Sequence, residues 1–459
     1  MRDMAMKKSL FAALAALSAV PLFAGRPVAA WDVVPHQRVT GTFKVGVVAF
    51  HDKGVSVEFT INGKKFFVAK EASLNERTGV VEYVAPFPAD KLSAKLGDKG
   101  YLLGAKVVSS DGAAHVLPDI VVYANGRSTL GTKKTVWVDA LRGNEFADGS
   151  ESAPVKSLAQ GVKKAGDGGT VYLKEGSYSL KMLGGGLERK FWTLITPAPG
   201  TDRSKVEVLA GRPGTDKLHF KDLNLSCSIS DGEYGAIVMG EGAKSVAWFE
   251  NCAFSNAGGR ESGQSAPFGN RLVAYVTGGA TSGMTFGPAA LLLRGHKVSS
   301  VSSKAFPGTD ALVVNCTAED VTPVEGGSSS DFMSIVPALP KKWAENLIVY
   351  GLKASAIECQ VFNIQRLRDS AFVNVSFTDV AHGSTVASAA SDEMENVIFS
   401  KFSLPDQTWR WRYSKTGRGD FKPSGVIVKD SEFGAMEGYE VRDGSKGLEL
   451  RDCVVKGAE

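Results

Sequence analysis

The chain has 459 residues, 43% hydrophobic and 22% charged, and its glycine content of about 11% exceeds the usual roughly 7%, as in a globular protein with many tight turns. Its 53 basic and 49 acidic residues leave a formal charge of +4, too small an excess for general adhesion to nucleic acid or to a membrane surface. Any basic site must therefore be local.

Residues 1–30 read as a secretory leader. Lys7 and Lys8 precede an apolar stretch from Leu10 to Phe23, and the small residues at Val28 and Ala30 suit cleavage before Trp31, with Ala24 as a second option. Pro21 breaks the stretch, which is too short to span a bilayer, and no later segment is long enough. The mature protein is expected to be exported, periplasmic or extracellular, with no membrane span.

Residues 31–125 alternate short strands with turns. Val55–Ile61 has period-two alternation, Asn62-Gly63 supplies a hairpin turn, and Phe66-Phe67-Val68 returns. Further strands are predicted at Val80–Val84, Tyr101–Val107 and Ile120–Tyr123, a spacing that fits an antiparallel sandwich. By pattern this region resembles an immunoglobulin-like module. Its histidines, His36, His51 and His115, are isolated and suggest no site.

A polar linker, 126–134, leads to a different texture. Val136–Asp139, a loop containing Gly143-Asn144 and Asp148-Gly149, a helical segment around Leu158, Val162 and Ala165, and Gly166–Tyr178 follow in order. This run resembles the entry of right-handed parallel β-helix proteins of the pectate-lyase-like superfamily, where a strand, a loop, a capping helix and a first coil occur in this sequence. Leu158, Val162 and Ala165 fall on one helical face, which can close the apolar end of a coil stack.

Self-similarity then dominates the sequence to residue 459. Alternating apolar residues, an Asn, Asp or Gly, two further residues and an apolar one recur with first positions Asp222, Asn251, Gly295, Asn315, Gly351, Asn374, Asp430 and Asp452, and more loosely Lys401. Asn, Asp and Gly tolerate left-handed backbone, so one sharp bend per coil accounts for the column. Cys252, Cys316 and Cys453 follow three of these bends and are expected as buried, unpaired interior residues. The long interval between Asn251 and Gly295 is read as an insertion, about 255–288. The expected fold is all-β: a sandwich, then a right-handed parallel β-helix with an N-terminal capping helix over 135–459.

Aligning coils by distance to the bend puts Asp331 over Glu358 and Met333 over Gln360, with Glu358 and Gln360 outward and Cys359 and Val361 inward. Two carboxylates on adjacent coils would lie about 5 Å apart, a spacing equally compatible with a retaining glycosidase pair, a bound Ca²⁺, or a solvated pair neutralised by Lys or Arg. Lys341, Lys342, Arg366 and Arg368 occupy the turns after these strands, and His382 the turn of the next coil. In the polysaccharide lyases that the fold resembles, acidic residues and often Ca²⁺ neutralise a uronate while Lys or Arg abstracts a proton; the resemblance implies such roles for Asp331 and Glu358 with Lys342, Arg366 or Arg368, and His382 is a further acid/base candidate. Trp409-Arg410-Trp411-Arg412-Tyr413 alternates aromatic and cationic side chains. It could stack sugars and pair with their acidic groups, or bury its rings while the Arg stems cover the surface.

The chain has neither the compact Asp/Arg signature of pectate lyases nor the paired-Asp signature of polygalacturonases. Nucleotide, esterase and zinc-protease motifs are also absent, so no organic cofactor is expected. The sequence thus points to an exported carbohydrate-active protein, a lyase or hydrolase of an anionic polysaccharide, with Ca²⁺ as the one cofactor considered. The alternative is a non-catalytic glycan-binding or surface structural protein. The two readings differ in whether an acid, a base and a groove lie within reach of one sugar bond.

Overall fold

The computed structural model describes residues 25–456 apart from 97–98, 125–133, 182, 184–188, 212–215, 228–235, 239–244, 257–265, 269–271, 285–289, 303, 324–330, 338–340, 382–385, 411–421 and 438–446. The leader up to residue 24 and nearly all of the linker lie outside these residues.

The N-terminal region is a two-sheet sandwich. Its strands are β1 (Val28–Trp31), β2 (Arg38–Val39), β3 (Thr42–Phe50), β4 (Val55–Ile61), β5 (Lys64–Ala69), β6 (Ser73–Asn75), β7 (Val80–Pro88), β8 (Lys99–Ser109) and β9 (Ala114–Ala124), with a helix α1 (Ala89–Leu96) between β7 and β8. One sheet has the order β1-β3-β7-β6 and the other β2-β9-β8-β4-β5. The Asn62-Gly63 turn forms as expected, with both residues at positive φ, and joins β4 to β5 in antiparallel register. Val45, Val47, Val57, Phe59, Phe87 and Val107 fill the space between the sheets. The sandwich begins earlier than residue 31: Val28–Trp31 pairs with β3 from Val28↔Phe50 to Trp31↔Val47. Cleavage after Ala30 would remove three of the four residues of that strand, whereas cleavage after Ala24 leaves it whole.

From Thr135 onward the chain winds into a parallel coil stack, 25 strands joined in one continuous ladder. Helix α2 (Leu158–Ala165) caps it. Ser157 accepts a hydrogen bond from the Gln160 N–H at its start, Leu158, Val162 and Ala165 are buried as predicted, and Gly161 lies so close to Val138 that a Cβ would meet its Cγ2 at 2.5 Å.

The repeat column is real. All nine predicted bend residues have φ between 50° and 70°, and the residues that precede them pair in register from Lys221↔Glu250 to Lys429↔Arg451. The segment read as an insertion contains a further coil: Leu272–Thr277 and Ala280–Ser282 flank a bend at Gly278, φ 72°. Asn251 caps its neighbour by donating from Nδ2 to Asp222 Oδ1 at 2.7 Å.

Inside the stack, like side chains lie over like at the coil pitch. Phe220 stacks on Phe249 and Phe372 on Phe399, with interplanar angles of 8°. Cys252 and Cys316 are buried and unpaired, as expected, and burial pushes both thiols up to about 12. Cys453 is unpaired but only partly buried, because it lies in the last coil of the ladder among the described residues. Each of the three thiols donates to a carbonyl of the preceding coil, at Phe220, Leu293 and Val428.

Candidate functional site

Each coil presents three faces, and the structure uses them differently. Strands before the bend carry outward apolar residues, Leu292, Leu312, Val314, Ile348, Ala371 and Ile398, and these pack against Val28, Val34, Val48 and Val80 of the sandwich. That face is therefore closed. The docking runs along the stack, from Trp192 Nε1 donating to Pro35 O at 2.7 Å, through Asn315 Nδ2 donating to Gly79 O at 3.1 Å, to Arg451 on Asp52 at 2.5 Å. The third face is built by Asp331–Ile335, the first part of Gln360–Val380 and the start of Val386–Arg410, and the first two of these strands carry the polar residues Asp331, Ser334, Gln360 and Asn363.

Its register differs from the expected one by two residues. Asp331 pairs with Gln360 and Met333 with Phe362, so Asp331 does not stack on Glu358. The cause lies in the turns: Ile335↔Ile364 and Ala344↔Leu367 bracket residues 336–343 in one coil but only 365–366 in the next. Counting along the chain to a bend cannot locate such an insertion. Cys359 and Val361 are buried, as the alternation requires.

Asp331 is nearly sealed from water, at 4% exposure. Its Oδ2 accepts from Asn363 Nδ2 at 3.1 Å, while its Oδ1 is buried with no hydrogen-bond partner among the described residues. Asn363 Oδ1 is in the same condition. Burial pushes the Asp331 carboxyl above its usual range, against the Asn363 hydrogen bond, the charge of Lys304 and the hydroxyl of Ser334. A carboxyl held this way keeps its proton longer and can donate it, the property a general acid needs. Lys304 is exposed and lies at the edge of this group, its backbone N–H donating to Asp331 O at 2.6 Å.

The other predicted residues separate. Glu358 is exposed in the turn that enters the Gln360 strand, its N–H donating to Val321 O at 2.8 Å. Gln360 is half-buried beside Asp331. Lys342 is exposed, and Arg366 is half-buried in register with Glu393. Arg368 is committed to Glu345, whose Oε2 lies 2.5 Å from NH2 and 2.8 Å from Nε, and it lies 5.8 Å from the centre of the Trp343 ring. Lys341 is likewise paired, with Asp310 at 2.7 Å.

Trp409 is fully buried, edge-on to Phe399, Phe402 and Phe433 at 4.9 to 5.3 Å, so it is core and cannot serve as a sugar platform. The Trp409 ring thus points inward, not to an outer aromatic face. Arg410 continues the strand opposite Glu437, while Trp411, Arg412, Tyr413 and His382 lie outside the described residues. Among the described residues no three His, Cys, Asp or Glu side chains converge as a metal site, and Asp331 and Glu358 do not share a register position.

Asn363, Ser334 and Lys304 are the functional candidates that sequence reasoning missed. The polar outward positions of the Asp331 and Gln360 strands could have flagged Asn363 and Ser334, once the register was known; nothing local marks Lys304.

No family model matches the chain, and no curated protein matches it. Solved structures match it in fold. A family 28 exopolygalacturonase from Yersinia enterocolitica is 10% identical, with 94% of this chain and 100% of that chain covered and a TM-score of 0.31. The pectate lyase Pel9A is 13% identical over 72% of this chain and 79% of that chain, TM-score 0.31. A GH136 lacto-N-biosidase from Eubacterium ramulus is 10% identical over 72% and 69%, TM-score 0.33. The sheet topology of the chain itself establishes a parallel β-helix. At these identities the likeness is one of fold alone. No helix among the described residues is long and apolar enough to cross a membrane.

Proposed function

We propose that the protein is an exported carbohydrate-active enzyme, a polysaccharide lyase or glycoside hydrolase, that holds an anionic polysaccharide along the third face. One observation carries the reading: the Asp331 carboxyl is buried, raised in pKa and left with an unpartnered oxygen beside the amides of Asn363 and Gln360. In this reading Asp331 donates its proton to the leaving glycosidic oxygen. Glu358, exposed in the turn that enters the neighbouring strand, supplies a base, while Lys342, Lys304 and Arg366 neutralise acidic groups of the polymer. Arg368 holds Glu345 in place and stays out of the reaction.

The test is a panel of uronic and sulfated glycans, following both the ultraviolet absorbance of an unsaturated product and reducing ends. Wild type should cleave at least one, and Asp331→Asn should lower the rate about 10²–10⁴-fold, the usual worth of general acid–base catalysis, while remaining folded. Cleavage by Asp331→Asn at the wild-type rate would move the site elsewhere.

A second reading, a glycan-binding protein without turnover, is favoured by the loss of register between Asp331 and Glu358 and by the engagement of Arg368 with Glu345. It predicts binding of an anionic glycan, weakened by salt and by loss of Lys342 or Arg366, with no product formed.

A further inference from the structure

Two buried carboxyls lie where the sandwich meets the coil, and one glycine brings them together. Strands β1 and β3 pair as far as Trp31↔Val47, and the Asp32 N–H then donates to Gly46 O at 3.0 Å, so Asp32 and Gly46 are cross-strand neighbours on one face of the sheet. Gly46 leaves its place on that face open, and the Glu82 carboxyl of β7 fills it: a Cβ on Gly46 would overlap Glu82 Cδ and both carboxyl oxygens. Thr78 Oγ1 donates to Glu82 Oε1 at 3.1 Å, and the same hydroxyl acts on the Asp32 carboxyl. The two carboxyls are therefore neighbours, Asp32 at 0% exposure and Glu82 at 1%.

The donors around this pair are spent elsewhere. Arg294 of the coil places its NH1 on Asp32 Oδ1. Arg77 donates from Nε to Lys44 O at 2.9 Å and from NH2 to Asp32 O at 3.2 Å, both backbone carbonyls. Asn75 Nδ2, at 2.7 Å, goes with Thr78 to Glu82 Oε1. Asp32 Oδ2 and Glu82 Oε2 remain, both buried and both without a partner among the described residues. Two ionised carboxyls cannot serve each other, because each only accepts. One proton held between them turns one into a donor, satisfies both oxygens and removes the repulsion of like charges in a closed site.

We propose that Asp32 and Glu82 share a single proton over Gly46, and that this proton makes the sandwich–coil junction a pH-sensitive contact. Burial first, and then the charge of Asp32, push the Glu82 carboxyl up to about 8, the direction that the pairing requires. The other titratable groups that act on the pair among the described residues are Arg77, Arg294 and Tyr350, side-chain types that keep one charge state near neutrality. Raising the pH passes the shared proton to solvent and leaves two adjacent carboxylates, one tied to Arg294 of the coil and the other facing Tyr350. The contact then loosens. The pair is separate from the third face and does not depend on the reading given for Asp331.

Carbon NMR of the full chain, labelled at the Asp and Glu carboxyls, tests this directly. One glutamate and one aspartate signal should move together, in a common step well above the ordinary glutamate value of 4.5. The glutamate signal should be missing from Glu82→Gln, and in Asp32→Asn its midpoint should fall by about one pH unit or more, because the neighbouring charge is gone. Hydrogen exchange of the β1 amides, corrected for the intrinsic rate, should quicken in wild type by up to about tenfold per pH unit across that step, the worth of one proton. It should stay flat in Glu82→Gln, whose amide donates at every pH. The proposal is overturned if no glutamate and aspartate titrate in a common step above the ordinary range, or if exchange in wild type stays flat across it. Wild type alone supplies both outcomes, so the matter is decided even if a variant does not fold. Asp331→Asn should leave the common step in place, which keeps a failure here distinct from a failure of the third-face reading.

Discussion

Arg294, at the end of a coil strand, places its NH1 on the carboxylate of Asp32 in the sandwich, 262 positions away, where the Asp32 side chain is fully closed from water. Burial pushes the Asp32 carboxyl up, and the guanidiniums of Arg294 and Arg77 pull it back down. The junction between the two regions is therefore a packed interior with charges inside it. The sandwich is docked through both this pair and the apolar face around Ile348.

Removing one member of such a pair strands the other. Arg294→Ala should cost about 3–5 kcal/mol, the penalty of an uncompensated buried charge. Arg451→Ala removes a half-exposed partner of Asp52 and should cost about 1 kcal/mol or less. Denaturant unfolding of the two variants side by side checks the contrast, and equal losses would mean that the interface does not exclude water.

Stability should fall as pH rises from weakly acid to weakly alkaline. Burial pushes Glu82 up to about 8, helped by the charge of Asp32 and opposed by Asn75, Thr78 and Arg77. The folded value lies above the ordinary value of 4.5, so this contribution to stability is complete below the ordinary value and is lost as pH climbs toward the folded one. Denaturant midpoints measured across that window should decline in wild type and flatten in Glu82→Gln. Parallel slopes would show that Glu82 titrates alike in both states.

Trp409→Ala should destabilise the C-terminal coils by about 3–5 kcal/mol, because a fully buried indole leaves a cavity that the surrounding phenylalanines cannot close. Binding of any glycan by protein that remains folded should be unaffected. A selective loss of binding with normal unfolding would return this residue to the surface.

Ala356 has φ 52° in a second left-handed column, in register with Ser300, Asp320 and Asp379. It is exposed, and its Cβ adds strain of about 1–2 kcal/mol that glycine would not carry. Ala356→Gly should therefore raise the melting temperature, against the usual trend for glycine in a strand. A lower melting temperature would refute the assignment of strain.

If the leader is processed in an exporting host, the mature chain should begin at Gly25. Arg26 pairs with Asp369 at 2.6 Å, Asn396 Nδ2 donates to Arg26 O at 2.8 Å, and β1 follows at Val28. Intact mass of the secreted protein distinguishes this start from one at Trp31, which would forfeit all three features.

The coil stack was legible in the sequence because its signal is local and repeated. A left-handed bend admits few residue types, so Asn251, Asn315, Asn374 and Asp430 marked their column, and the apolar face of Leu158, Val162 and Ala165 marked the cap. Two further left-handed columns escaped notice although each keeps the intervals of the first, one through Asp310, Asn346, Asp369 and Asn396 just before the bends and one through Ser300, Asp320, Ala356 and Asp379 just after them.

The candidate site was legible only in part. The residue beside Asp331 is Gln360 and not Glu358, since a turn of eight residues in one coil and two in the next shifts the register where sequence spacing cannot show it. Trp409 was placed on a face by alternation, yet which face is the core depends on the strands beside it. The junction around Asp32, Glu82, Arg294 and Tyr350 has no sequence signal at all. Those residues are brought together by docking a sandwich on a coil, and burial, which gives their charges their effect, belongs to the tertiary structure alone.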